Sequence, residues 1–542
     1  MCNDTICNIN RLPLGLLEFS NIRNKNKIYV DKTKLIYKIA NQDAPIFFSR
    51  PRRFGKSLLI NTLSCLFKKG VEYFHGLDIE KLWSDTTYNV VHFDFSRMAG
   101  KNVHDLKFVL SAKIISEFRA DDTLIQNNSP KLQYPDLILD EILSKINNNS
   151  TIFLVDEYDA PLTHHINDPD ELKGIMEVLN DFYATIKQYT DKFRLIFITG
   201  VTRSSHISIF SAFNNLIDIS LNDEFNTLLG FTKDDLIKYF DIYVENSSRI
   251  LNINRNDLYQ RIEQYYDGYQ FSINAKEALY NPWSILNFFK NSENGFINYW
   301  FDSGGTSSII MNYLKIKENF DFLDYNSREI IVDKYTIGSK YEITNIPYNV
   351  LLYQAGYFTI RKIDEDIARL VVANKEVEES LYRLYLISNN LSPKDELREK
   401  MIFLSSAIDK KDLSTIVKIF NKILNECVSC LSRAFNDERS IRDIIYAALT
   451  YIPSLRMIKE HDFAKGNSDL EIFTKKTCLV IEFKRTYPKK RSADEALTLA
   501  INQIKNNRYG ISFSSDYTLY RVAMVISTEE KIILPFFCKE VL

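Results

Sequence analysis

The sequence predicts an α/β protein of more than one domain, the first built on a mostly parallel sheet. Three observations carry that expectation. The first third alternates short apolar runs ("APIFFS", "NVVHFDF", "TIFLVDEYD", "FRLIFITG") with helical patterns such as "KSLLINTLSCLFKKG". Short strands apolar on both faces and separated by helices belong to parallel sheets covered on both sides. The chain has 542 residues, too many for one hydrophobic core, which usually stops growing at about 250–300 residues. After a long helical middle, strand-like runs return as "GNSDLEIFT", "KTCLVIEFK" and "YTLYRVAMVIS".

In chain order, residues 1–230 read as the parallel α/β domain. Residues 231–372 turn mostly helical and aromatic, with "YYDGYQFS" and "LYNPWSILNFF", and read as a helical extension packed on it. Residues 373–452, from "EVEESLYRLYLI" to "IRDIIYAALTYI", form a helical connector. Residues 453–542, opening at Pro453, return to strands and turns as a second α/β domain. Neither an internal repeat nor a low-complexity segment interrupts the chain.

Hydrophobic residues at 45%, charged residues at 25%, 16 Gly and 13 Pro describe a chain folded almost throughout. A net charge of -2 gives no global attraction to nucleic acid or anionic membrane, so either would need a local patch. No apolar run reaches the roughly 18–20 residues that span a bilayer. The opening "MCNDTICNINRLPLG" lacks the basic and apolar regions of a signal peptide. A cytoplasmic protein without membrane partners is expected. Seven scattered cysteines make no disulfide framework. The Cys427/Cys430 pair has CxxC spacing but lies in the helical pattern "TIVKIFNKILNECVSCLSRAF" and reads as buried core.

The stretch "FFSRPRRFGKSLLINTL" places Gly55, Lys56 and Ser57 between a strand and a helix. Phosphates bind there because N–H groups at a helix N-terminus and a lysine ammonium converge on them. Gly55 lets the backbone approach, Lys56 meets the β/γ-phosphates and the Ser57 hydroxyl ligates Mg²⁺. Arg53, Phe54 and Leu58 complete the candidate ATP-binding loop. Arg50 stands where such loops begin with glycine; with Arg52 and Arg53 it adds positive potential or is solvated charge. About 100 residues on, "TIFLVDEYDAP" ends an apolar strand in Asp156 and Glu157, one acid for Mg²⁺ and the next for the attacking water. The strand "FRLIFITGVTRSS" ends in Thr199, able to sense the γ-phosphate region. Arg203 beyond it either stabilises transition-state charge or forms a salt bridge. This reading requires the Gly55–Ser57 turn and the Asp156 tip to lie together, and it fails if they stand on non-adjacent strands, far apart.

A different chemistry lies near the C-terminus. In "CLVIEFK" the two-residue repeat of a strand puts Glu482 and Lys484 on one face. Asp469 precedes Glu482 with twelve residues between them, a gap a hairpin closes. Two carboxylates beside a lysine can hold Mg²⁺ and polarise a phosphodiester, and an exposed Glu–Lys salt bridge is the alternative. The following helix offers Gln503 and Tyr509 toward the same end. In "KRTYPKKRS", Arg485, Lys489, Lys490 and Arg491 form either a nucleic-acid backbone contact or a solvated loop.

Along nearly its full length the chain resembles prokaryotic AAA-ATPase-like proteins with a C-terminal PD-(D/E)XK nuclease-superfamily domain. The resemblance rests on "YVDKT" from Tyr29, "RPRRFGKSL" from Arg50, "VDEYDAPL" from Val155, "FITGVTRSSHISIFSAFNNL" from Phe197, "YYDGYQF" from Tyr265, "YNPWSIL" from Tyr280 and "NKEV" from Asn374. It implies a P-loop NTPase sheet domain with a helical extension plus an α/β nuclease-like domain. In that family Arg50 is a standing variant of the loop. The nuclease motif falls on Asp469, Glu482 and Lys484, with Gln503 on the next helix. The usual "GRxD" reads "GNSD", so Asn467 replaces a basic residue. A further acid from the preceding helix is common; Asp443, Glu438 and Glu460 are the candidates. ATPase modules of this kind often assemble, which leaves a homo-oligomer open. The expected function is Mg-ATP binding and hydrolysis coupled to Mg-dependent cleavage of DNA or RNA. The alternative is a nucleotide-switched binder of nucleic acid or protein with an inactive nuclease-like fold.

Overall fold

The computed structural model describes residues 9–119, 130–203, 213, 215–272, 274, 277–301, 303, 310–313, 329–388, 395–428, 438–452, 455–463, 466–487 and 490–542. The chain divides into two compact units, one within residues 1–378 and the other within 379–542 among the described residues. The segment after Arg203, much of "FITGVTRSSHISIFSAFNNL", and the side chains of Cys427, Cys430, Glu460, Gly466, Asn467 and Lys489 lie outside the description.

The apolar runs of the first unit form the strands β1 (Ile46–Ser49), β2 (Asn89–Asp94), β3 (Thr151–Asp156) and β4 (Phe193–Gly200). A two-residue β5 (Ile217–Asp218) completes a sheet of order β2-β3-β4-β1-β5, parallel at every pairing. Every residue of β1 and β3 is buried, as strands covered by helices on both faces must be. Helices start where side-chain caps satisfy their first amides: Asn102 accepts from the Asp105 N–H ahead of Val103–Phe118, and Asp168 from the Glu171 N–H ahead of Pro169–Gln188. Because all five strands run the same way, their C-terminal ends and the loops they feed share one edge, where open parallel sheets bind ligands.

Beyond the sheet, Thr232 and Asp235 form a reciprocal capping box for helix Lys233–Leu251. Asn254 and Asn281 cap the helices Arg255–Tyr266 and Pro282–Lys290. Phe240, Tyr243, Tyr266, Phe288 and Phe289 pack as a second aromatic core. Residues 231–372 are not helical throughout. The strands β6 (Ile330–Asp333), β7 (Phe358–Asp364) and β8 (Ile367–Val372) make an antiparallel sheet of order β6-β8-β7. The hairpin turns at Glu365, in the left-handed region at φ 52°, a signal that charge alternation in "IRKIDEDIARL" conceals.

The second unit holds the mixed sheet β13-β12-β11-β10-β9, made of β9 (Arg456–Phe463), β10 (Gly466–Phe473), β11 (Thr477–Arg485), β12 (Thr518–Ser527) and β13 (Ile532–Glu540). Only β11 and β12 are parallel neighbours. A parallel pair needs a crossover, and helix Ala493–Asn507 supplies it, opened by a capping box of Ser492 and Glu495. The helices Leu413–Val428 and Glu438–Leu449 belong to the same unit. Among the described residues no helix is long and apolar enough to cross a membrane.

Candidate functional site

The first site is the edge of the parallel sheet. Strand β1 ends at Ser49, the chain turns with Arg53 at φ 70° and Gly55 at φ 100°, and helix Lys56–Lys69 begins. Glycine is needed at position 55 because side chains rarely adopt that left-handed geometry. The first amides of the helix have no intrahelical carbonyl to bond. They border a cavity of about 740 Å³ whose wall includes Arg53, Phe54, Gly55, Lys56, Ser57, Leu58 and Glu157. The wall also carries the apolar Leu14, Val30, Phe231, Phe240 and Leu286. The cavity therefore combines charge and N–H groups with apolar surface.

Lys56 is 5% exposed. Its ammonium donates to the Arg50 and Pro51 carbonyls at 2.8 and 3.0 Å. Burial pulls its pKa below the ordinary lysine value, against the fields of Glu157, Asp156 and Asp159. Those carboxylates reach it although β4 separates β1 from β3 in the sheet. One intervening strand amounts to about 10 Å, so the loop and the acid strand are close without being neighbours. Thr199 on β4 fills the interval, donating its hydroxyl to the Asp156 carboxylate at 2.7 Å. Glu157 sits in the left-handed region at φ 50°. Burial raises its pKa, with Lys56 and Arg52 opposing.

The second site is set by register. The pair Leu470↔Ile481, carried one residue further, places Asp469 opposite Glu482. Asp469 accepts from the Phe483 N–H at 2.8 Å. The Lys484 ammonium donates to Glu482 Oε1 at 2.5 Å, while the buried Glu482 Oε2 has no hydrogen-bond partner among the described residues. Burial and the facing Asp469 push Glu482 up to about 8, with Lys484 opposing. Burial also raises Asp469, against the field of Lys484. Burial pulls Lys484 down, but Glu482 and Asp469 outweigh it and hold its proton more tightly than usual. Two buried carboxylates so close together, one with an oxygen unpartnered among the described residues, carry an electrostatic cost that Lys484 only partly offsets.

A family model described as "Predicted AAA-ATPase" matches residues 13–210, and one described as "PD-(D/E)XK nuclease superfamily" matches residues 436–535. The chain carries an AAA-ATPase-like domain and a PD-(D/E)XK nuclease-superfamily domain. It is also 28% identical over 418 residues to "Uncharacterized protein in vnfD 5'region" of Azotobacter chroococcum mcd 1, across 76% of this chain and 77% of that protein.

Not every candidate residue reaches its site. In the ATPase-like domain Arg203 is 4% exposed and pairs with Asp218 at 3.2 Å and the Gly338 carbonyl at 3.2 Å. Its guanidinium is thereby held by β5 and a later segment, and it is absent from the large cavity's wall. Arg50 is neither loop potential nor surface charge. Its buried guanidinium donates to Ser220 O at 2.7 Å and Phe225 O at 3.2 Å and stacks on Phe48 and Phe271. In the nuclease-superfamily domain Gln503 donates to the Tyr509 hydroxyl at 3.1 Å, and no described contact joins it to Asp469 or Glu482. Asp443 pairs with Arg442 at 2.9 Å. Glu438, by contrast, accepts from the Arg485 N–H at 2.8 Å and adds its field to Asp469, Glu482 and Lys484.

One residue that motif reading passed over is Asp159. Buried at 3% exposure, it accepts from the Thr202 N–H at 2.7 Å, the Thr202 hydroxyl at 2.6 Å and the Val201 N–H. It fixes the exit of β4 against the end of β3, which keeps Thr199 facing Asp156. The third acid of "VDEYD" was the available signal.

Proposed function

We propose that the N-terminal domain binds and hydrolyses Mg-ATP and that the C-terminal domain cleaves DNA or RNA phosphodiesters with Mg²⁺. The observation that supports it most is the convergence of the Lys56 loop, Asp156, Glu157 and Thr199 on one sheet edge beside a nucleotide-sized cavity. In this reading the loop amides and the Lys56 ammonium hold the phosphates, which releases Lys56 from the Arg50 and Pro51 carbonyls, and the base meets the apolar surface. Ser57 and Asp156 would hold the magnesium, Thr199 keeps Asp156 oriented, and Glu157 positions the attacking water. The donor set fits a hard cation, because Asp156 is a buried carboxylate whose field reaches Lys56, next in the chain to Ser57, and Ser57 and Glu157 line the cavity.

At the second site Asp469 and Glu482 would hold magnesium, with Glu438 as the third acid. The bound ion supplies neutralisation of charge on the phosphodiester. Lys484 holds a proton beside the reacting phosphate and orients water. Metal-dependent cleavage of single- and double-stranded DNA and RNA, with and without ATP, tests the proposal. Lys56→Ala should remove ATP hydrolysis, and Asp469→Ala or Lys484→Ala cleavage; cleavage that survives loss of Asp469 and Glu482 contradicts it.

A second reading, a nucleotide-switched binder, is favoured by two placements: Gln503 is turned to Tyr509 and Arg203 to Asp218. A binder retains nucleic acid in EDTA and yields no product.

A further inference from the structure

The turn leaving β11 is fastened at both ends. Thr486 donates its N–H to Ile526 O at 2.9 Å, and Tyr487 and Arg491 exchange backbone hydrogen bonds at 3.0 and 2.9 Å. The next residue, Ser492, caps helix Ala493–Asn507. On this pinned frame the Arg485 guanidinium lies 4.2 Å and the Arg491 guanidinium 4.9 Å from the Tyr487 ring centroid. Two cations that would repel one another are thus held by one ring, and Glu438, which accepts from the Arg485 N–H and pairs with Arg491, adds its field to Glu482 and Lys484.

We propose that Arg485 and Arg491, organised by Tyr487, clamp the phosphodiester backbone of a nucleic acid beside the Asp469–Glu482–Lys484 site. The inference rests on the nuclease reading for the chemistry next door and adds how that substrate is held. Guanidinium forks match phosphate oxygens in pairs, and prior stacking on an aromatic ring lowers the conformational freedom lost on binding. Among the described residues the counter-charge of the two guanidiniums is weak: Glu438 Oε1 lies 3.8 Å from Arg491, with both side chains partly exposed, a class of pair worth little. A phosphate takes its place readily, leaving Glu438 on the Arg485 N–H near the acids. Pro488 and Lys489 lie outside the described residues.

The test is equilibrium binding of full-length protein to labelled single-stranded DNA, duplex DNA and RNA in EDTA, as a function of salt. For duplex DNA, Arg485→Gln with Arg491→Gln should lower the slope of log affinity against log salt by about 1.8, near 0.9 per phosphate contact. Tyr487→Leu keeps both charges, so the slope stays and affinity falls about two- to fivefold. Lys490→Gln, exposed and off the ring, should change affinity less than either, and heparin should compete less well than nucleic acid of equal charge. Equal effects of Lys490→Gln and the arginine changes, or an unchanged slope in the double variant with an unaltered melting profile, overturn the clamp. Cleavage is scored separately in Mg²⁺: binding without product leaves the clamp standing and removes the nuclease reading, while product with unaltered binding in the arginine variants does the reverse.

Discussion

Asp156, Glu157 and Lys56 illustrate what a sequence displays at the scale of single residues. Each is polar where the pattern demands an apolar strand or a tight turn, and each lies at the sheet edge. Partners contributed by distant segments were hidden: Arg50 meets Ser220 and Phe225, and Arg203 meets Asp218 and Gly338. No local spacing encodes such encounters, so both arginines read as surface or catalytic charge. Gln503 donates to the Tyr509 hydroxyl, later in the same fold, a pairing that spacing alone does not encode. If Glu157 positions the attacking water as proposed, Glu157→Gln should retain Mg-ATP binding and lower phosphate release by about 10²-fold or more. Glu482 gives a pH prediction. Its pKa is about 8 when folded against 4.5 ordinarily, so between those values the native state binds more protons than the unfolded one. Stability contributed by the protonated form is full below about pH 4.5 and is lost as pH rises through 8. Chemical denaturation from pH 5 to 8 should show that decline in the native protein and a flatter profile in Glu482→Gln.

Among elements, apolar runs made β1 to β4 and β10 to β12 legible, because strands buried on both faces have little choice of composition. The two-residue β5 has too little sequence to carry a period, and β6 to β8 are half-exposed ribbons among helices. The "YYDGYQF" motif is explained by packing: Gly268 is at φ 100°, and a Cβ there would stand 2.1 Å from the Ala373 carbonyl oxygen. Gly268→Ala should therefore destabilise the first unit by roughly 3 kcal/mol or more, or prevent its folding, as read by thermal melting. The neighbouring Tyr269 and Phe271 pack edge-on against Phe54, so the extension supports the loop from behind. Arg50→Met removes the tie between β1 and the segment after β5 and should cost about 2–4 kcal/mol, since it orphans buried carbonyls.

For the whole molecule, the two units have separate cores and separate candidate sites, marked by motifs toward opposite ends of the chain. A ligand that binds only the native first unit should raise the transition reporting that unit by mass action, so calorimetry with Mg-ATP should show an upward shift that Lys56→Ala lacks. The most direct measurement of the central claim is equilibrium binding of a fluorescent ATP analogue in Mg²⁺. Saturable binding by the native chain, retained by Glu157→Gln and lost by Lys56→Ala, is the predicted result; a Lys56→Ala protein that is folded and binds as tightly as the native chain contradicts it.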